Sequence, residues 1–187
     1  IESRLNTGTE DIVIDAALKK RKELAGLYDK QANINPLMLI QLPDRIGSLE
    51  DEMKNRVIRI LKDKHNISTE NGKLAIWLSG EHINKENVEK SNSEVEVLIF
   101  KQAIALGWDC PRAQILVLFR EWHSPVFSIQ TVGRIMRMPE PDKGHYPEEP
   151  LNYGYVYTNL EHIDIQEDMA RNYITIHTSR RKPGYKP

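Results

Sequence analysis

The chain is 187 residues long, enough for one domain or one domain with a tail, and its 40% hydrophobic and 28% charged residues are the ordinary balance of a soluble globular fold. The net charge of −1 excludes a global field that would draw in nucleic acid, so any phosphate contact has to come from local geometry. A single cysteine, Cys110, excludes an internal disulfide framework and fits a reducing, cytoplasmic compartment, and the sequence has neither a signal peptide nor an apolar run of about 18 residues to span a membrane.

Residues 1–10 are polar and read as a frayed start. From Ile12 to Tyr28 the apolar positions Ile14, Ala17, Leu18, Leu24, Ala25 and Tyr28 recur at helical spacing. Arg21 interrupts that stripe, and Lys19, Lys20 and Lys22 crowd around it, a basic cluster that reads as a solvated face, with DNA contact as the alternative. Pro36 opens the apolar run Leu37-Met38-Leu39-Ile40, closed by Pro43, and such a run between breakers predicts a strand buried on both faces. Ser48 is placed to cap a second helix, with Glu50 and Asp51 in its first turn and Leu49, Met53, Val57, Ile60 and Leu61 as its buried stripe.

Asn71-Gly72 precedes a second strand, Leu74 to Leu78, and the polar stretch 81–94 reads as holding one helical turn at best. A third strand is predicted at Val95 to Phe100, a fourth at Ile115 to Phe119 and a fifth at Tyr153 to Tyr157. Between the last two, Ser124 to Met138 reads as a helix with a proline at its first position, and the four prolines in 139–150 as a rigid loop. Glu161 to Tyr173 is a candidate last helix before a polar tail. Strands alternating with helices predict an α/β domain, a mainly parallel sheet covered by helices on both faces.

In such a sheet, ligands bind beyond the carboxyl ends of the strands. Two segments with unusual residues are expected there. In the first, Lys101 follows a strand directly, where free backbone N–H groups and its charge suit a phosphate. Gly107 permits a sharp turn, and Asp109, on a loop fixed by Pro111, is suited to accept hydrogen bonds from a ribose hydroxyl. In the second, Gln130, Arg134 and Arg137 lie along one helical face, and Gly133 lets a neighbouring surface approach closely. Two guanidinium groups without an acidic residue among them call for an anion such as a nucleotide triphosphate.

The plainer readings stand beside these. Arg134 and Arg137 can be surface arginines of an amphipathic helix, Asp109 a turn cap and Lys101 a solvated lysine. Trp108 and Trp122 read as packing against loops rather than stacking on bases. Cys110 reads as a small packed residue, and the six scattered histidines lack metal-ligand spacing.

Gln130-x-x-Gly133-Arg134-x-x-Arg137 resembles motif VI of superfamily 2 helicases, and Gly107-x-Asp109-x-Pro111 upstream resembles motif V. The strings VEVLIFKQAIALGWDCPRAQILV and SIQTVGRIMRMPEP are most similar to the restriction subunit of type III restriction enzymes. The segment Asn35 to Gln41 sits where that family places motif IV, and the resemblance spans about residues 10–160. It implies a RecA-like three-layer domain, the second of two, over residues 31–160. Residues 1–30 would form an N-terminal extension and helix linking it to the first, and residues 161–187 a C-terminal helix and tail leading to the next domain.

The resemblance further implies that Arg134 and Arg137 act as arginine fingers toward the β- and γ-phosphates of ATP, with Gln130 coupling the nucleotide to the DNA side. Gly107 and Asp109 would approach the ribose, and Lys101 and Gln102 would touch the nucleic-acid backbone. No G-x-x-x-x-G-K-[ST] loop or D-E-x-H-like motif occurs in the 187 residues. ATP and its Mg²⁺ are therefore expected to be held mainly by the first RecA-like domain, and the chain alone to be inactive as an ATPase. Both ends read as cuts in a longer protein, since the chain opens at Ile1 and stops in a polar tail. The implied partners are double-stranded DNA, that first domain and the methyltransferase subunit, in a bacterial cytoplasm. Alternatives are another superfamily 2 helicase acting on DNA or RNA, or a non-catalytic RecA-like module that binds DNA or protein.

Overall fold

The computed structural model describes residues 9–30, 32–43, 48–101, 108–119 and 139–158. The apolar run behind Pro36 forms β1 (Leu37–Gln41), every residue of which is buried. β2 (Leu74–Leu78), β4 (Val97–Phe100), β5 (Ala113–Leu118) and β6 (Tyr155–Thr158) follow at the predicted places, within two residues at each end. One further strand, β3 (Glu81–Ile83), lies in the polar stretch that was expected to hold at most a helical turn. It pairs antiparallel to β2 through the two-residue turn Ser79-Gly80, where Gly80 takes the left-handed backbone (φ 80°) that the reversal requires.

The six strands form one sheet in the order β3-β2-β4-β1-β5-β6, parallel except for β3. β1 is flanked by β4, with Ile40 opposite Ile99, and by β5, with Ile40 opposite Val117. Side chains alternate between the two faces. Met38 and Ile40, Val97 and Ile99, and Ile115 and Val117 join a core with Ile14, Leu18 and Leu24 of α1 (Thr9–Tyr28) and Val57 and Leu61 of α2 (Ser48–His65). Leu39, Leu98, Phe100 and Leu116 face the other way, beneath Val88, Val95 and Cys110. Each such aliphatic side chain contributes roughly 1.5–3 kcal/mol by leaving water.

Among the described residues both helices therefore lie on one face, and the other is covered by the turns around residues 84–95 and 108–112. The helices expected at 124–138 and 161–173 lie outside the described residues. No helix among the described residues is long and apolar enough to cross a membrane.

α2 ends where Asn66 adopts the left-handed conformation (φ 54°). Ile67 N–H then donates to Leu61 O at 3.0 Å and Asn66 N–H to Lys62 O at 3.2 Å, the paired bonds that close a helix carboxyl terminus. Lys62, Lys64 and His65 in that last turn complement the helix dipole.

Arg21 corrects the sequence reading of α1. It does not break the buried stripe or join a solvated face: it is 5% exposed and lies on the stripe itself. Its Nη1 meets Glu96 Oε2 at 2.9 Å, its Nε donates to Glu96 O at 3.2 Å, and its Nη2 donates to Asn35 Oδ1. Burial pulls its pKa down, and the Glu96 carboxylate opposes that shift. The charge belongs inside because its partners precede β1 and β4.

The proline-rich loop docks on the helical face. Tyr146 stands edge-to-face with Tyr28 (centroids 5.5 Å apart), and Tyr146 and Asn152 exchange two hydrogen bonds, N–H to Oδ1 at 2.7 Å and Nδ2 to O at 2.9 Å.

Candidate functional site at the carboxyl ends of the strands

β1 and β4 are neighbours, yet the described segments that follow them pack on opposite faces of the sheet. After β1 the chain enters α2, which packs with Met38 and Ile40. After β4 it passes to Trp108 and Cys110, which pack with Leu39 and Leu98. In α/β sheets, the crevice beyond the carboxyl ends of adjacent parallel strands whose following segments pack on opposite faces is the usual ligand position.

Three strand tips are tied together at this crevice. Leu42 N–H donates to Phe100 O at 3.0 Å and Phe119 N–H to Gln41 O at 3.1 Å. Across the crevice itself, Gln41 Nε2 donates to Lys101 O at 3.1 Å, and the Gln41 side chain is buried. β6 is held alongside by Thr158 Oγ1, which donates to Leu118 O at 2.9 Å. Buried polar groups need such partners, since an unmet one costs about 1–3 kcal/mol.

Lys101, a sequence candidate, follows β4 on this rim and is half-buried. Asp109 is exposed on the same crossover, between Trp108 and the buried Cys110. Trp108 meets Trp77 edge-to-face at 6.1 Å, and Trp77 is in register with Phe100 at the end of β4. The chain then descends to the amino end of β5, where Ala113 N–H closes a turn on Cys110 O at 2.9 Å. Of the predicted site residues, the structure thus brings Lys101 and Asp109 onto one crossover. Gln102, Gly107, Gln130, Gly133, Arg134 and Arg137 lie outside the described residues.

Cys110 is a packed residue, as expected. It is fully buried, with its Sγ 3.8 Å from Val88 O, and burial pushes its thiol up to about 11 against the opposing charge of Arg112. Thiolate chemistry at neutral pH is thereby suppressed.

Two residues carry more of the structure than their sequence positions suggest, Gln41 at the carboxyl ends of the strands and Arg112 at the amino ends. Gln41 is visible as a polar residue closing an apolar strand. Arg112 gives no periodic signal, yet it is 1% exposed and anchors the base of the Asp109 loop. Its Nε donates to Val88 O at 2.6 Å, and its Nη1 to Asn35 O at 2.6 Å and Val95 O at 3.0 Å. Nη2 has no hydrogen-bond partner among the described residues. Burial lowers the guanidinium to about 10. Three backbone segments, preceding β1, following β3 and preceding β4, converge on this one fork.

No group of three or more His, Cys, Asp or Glu side chains is placed to hold a metal among the described residues. No family model matches the chain. Over 128 residues, 65% of its length, it is 30% identical to a protein of Sulfolobus islandicus filamentous virus (isolate Iceland/Hveragerdi) named "Putative helicase 22". The match spans 23% of that relative's length.

Proposed function

We propose that this chain is the second RecA-like half of an ATP-driven nucleic-acid motor, of the kind found in the restriction subunit of type III restriction enzymes. The observation that carries the reading is the position of Lys101 and Asp109 beyond the carboxyl end of β4, beside β1. The segment resembling motif V leaves the carboxyl end of β4 there, with Lys101 on the rim and Asp109 exposed on the crossover. The paired motif with Gln130, Gly133, Arg134 and Arg137 downstream adds to it, as does similarity to a relative named as a helicase.

In this reading ATP and Mg²⁺ sit between two RecA-like domains and the first domain supplies the phosphate cradle and the metal ligand. Asp109 and Gly107 approach the ribose, while Gly133 permits close approach of the neighbouring surface. Arg134 and Arg137 stabilise charge developing on the phosphates, with Gln130 beside them. Lys101 and Gln102 contact the nucleic-acid backbone. Double-stranded DNA and a methyltransferase subunit are the corresponding partners, in a bacterial cytoplasm. The relative's name favours the broader helicase-like class, on DNA or RNA, over the restriction assignment.

The test uses the full-length protein with the first domain present. Arg137→Ala is expected to lower DNA-stimulated ATP hydrolysis by about 10³-fold or more, with a nearly unchanged Tm. Unimpaired turnover in that variant would remove the finger role. ATP-dependent cleavage of unmethylated duplex DNA that requires the methyltransferase subunit separates the restriction assignment from the broader class.

A further inference from the structure

An aromatic cluster on the rim of the sheet lies outside the roles assigned above. In β2 the burial is complete except at Trp77. Three groups meet its ring. Trp108 stands edge-to-face at 6.1 Å, and His82, its partner directly across the β2–β3 hairpin, is edge-to-face at 6.5 Å. The Lys85 ammonium lies 5.4 Å from the ring centroid. Packing of the core accounts for Trp77 and Trp108, both partly buried against the second face. It does not account for an exposed His82 and a half-buried Lys85 gathered on the same ring.

The arrangement is built rather than incidental. Gly80 allows the tight turn, and Asn84 adopts φ 53° while its Nδ2 donates to Thr69 O at 2.8 Å and Leu74 O at 3.0 Å. That clamp fixes the backbone immediately before Lys85. The surroundings are polar: Glu86, Asn87, Glu89 and Lys90 are exposed. The exposed large hydrophobic among the described residues, Ile12, is on α1. Three rings with an ammonium group in a polar setting suit unpaired bases and their phosphates better than an apolar protein partner.

We infer that Trp77, His82, Lys85 and Trp108 form a stacking platform for single-stranded nucleic acid. The inference rests on the motor reading in one respect, that a strand passes the carboxyl ends of this sheet. Bases stack on the exposed imidazole and on the accessible parts of the indoles, and Lys85 meets the backbone. With a net charge of −1 on the chain, this local geometry has to supply the attraction.

The test is made on the 187-residue chain without nucleotide, so its outcome is independent of ATP turnover. Trp122→Phe leaves Trp77 and Trp108 as the two indole reporters. An oligothymidylate of about twenty nucleotides is expected to quench their fluorescence saturably, and a blunt duplex of the same length to bind more weakly. His82→Ala with Lys85→Ala is expected to weaken oligothymidylate binding about five-fold or more. Lys85→Gln, which keeps most of the stem and removes the charge, is expected to lower the salt dependence by about one released ion. Absence of quenching, equal affinity for the duplex, or an unchanged affinity in both variants would overturn the platform. None of these bears on Arg137, so the platform can fail while the motor reading stands.

Discussion

Arg112 carries its charge into the interior and directs it at backbone carbonyls. A leucine there leaves the carbonyls of Val88, Asn35 and Val95 without their donors in a place water reaches poorly. Arg112→Leu is expected to destabilise the chain by about 3 kcal/mol, read as a lower urea midpoint. Arg112→Lys is expected to recover less than half of that, because an ammonium group lacks the planar fork that reaches three carbonyls. An unshifted midpoint in Arg112→Leu means that the loops hold without the fork. Nothing in the sequence announces this role. Arg112 sits inside a motif string whose other members attract attention, and its partners are main-chain atoms far from it along the chain. The role of Arg21 is hidden for the same reason, since a helical stripe shows which side faces inward but not whether a carboxylate waits there. Cys110, by contrast, was legible, because a lone thiol among apolar residues has few other fates.

At the scale of elements, the runs Leu37 to Ile40, Leu74 to Leu78 and Ile115 to Phe119 were readable because a strand buried on both faces must be apolar at every position. β3 escaped for the converse reason. It has three residues, none fully buried, and its stability comes from the turn and from pairing with β2. The signal was Ser79-Gly80, a turn dipeptide after an apolar run. Gly80→Ala is the matching prediction. A Cβ there meets nothing within 4 Å, so the cost is purely that of holding an alanine at φ 80°. It is expected to be about 1 kcal/mol in denaturant unfolding. A neutral result would mean that the turn relaxes to a form that an alanine adopts without strain.

For the whole molecule, the sequence carried the fold class but not the strand order. Alternating strands and helices implied a parallel sheet. That β1 lies between β4 and β5 follows from pairings that leave no local pattern. The candidate site is a reading of motifs, of which the structure describes Lys101 and Asp109 and adds the Gln41 bond to Lys101 O. The division of labour proposed for two RecA-like domains has a direct consequence. With no phosphate-binding loop in its 187 residues, this chain by itself is expected to release phosphate from ATP at the background rate in a coupled assay. Turnover above background would mean that the chain builds a complete nucleotide site of its own.

The place of β1 also governs how the molecule can be made. It precedes every other described strand of the sheet in sequence, yet both of its hydrogen-bonding flanks are filled by segments that come much later, Val97–Phe100 and Ala113–Leu118. Until residue 118 has left the ribosome, Leu37-Met38-Leu39-Ile40 remains a greasy ribbon with at least one open edge, the condition under which nascent chains stick to one another. Closure around it demands contacts distant in sequence, the kind whose loop-closure entropy slows folding.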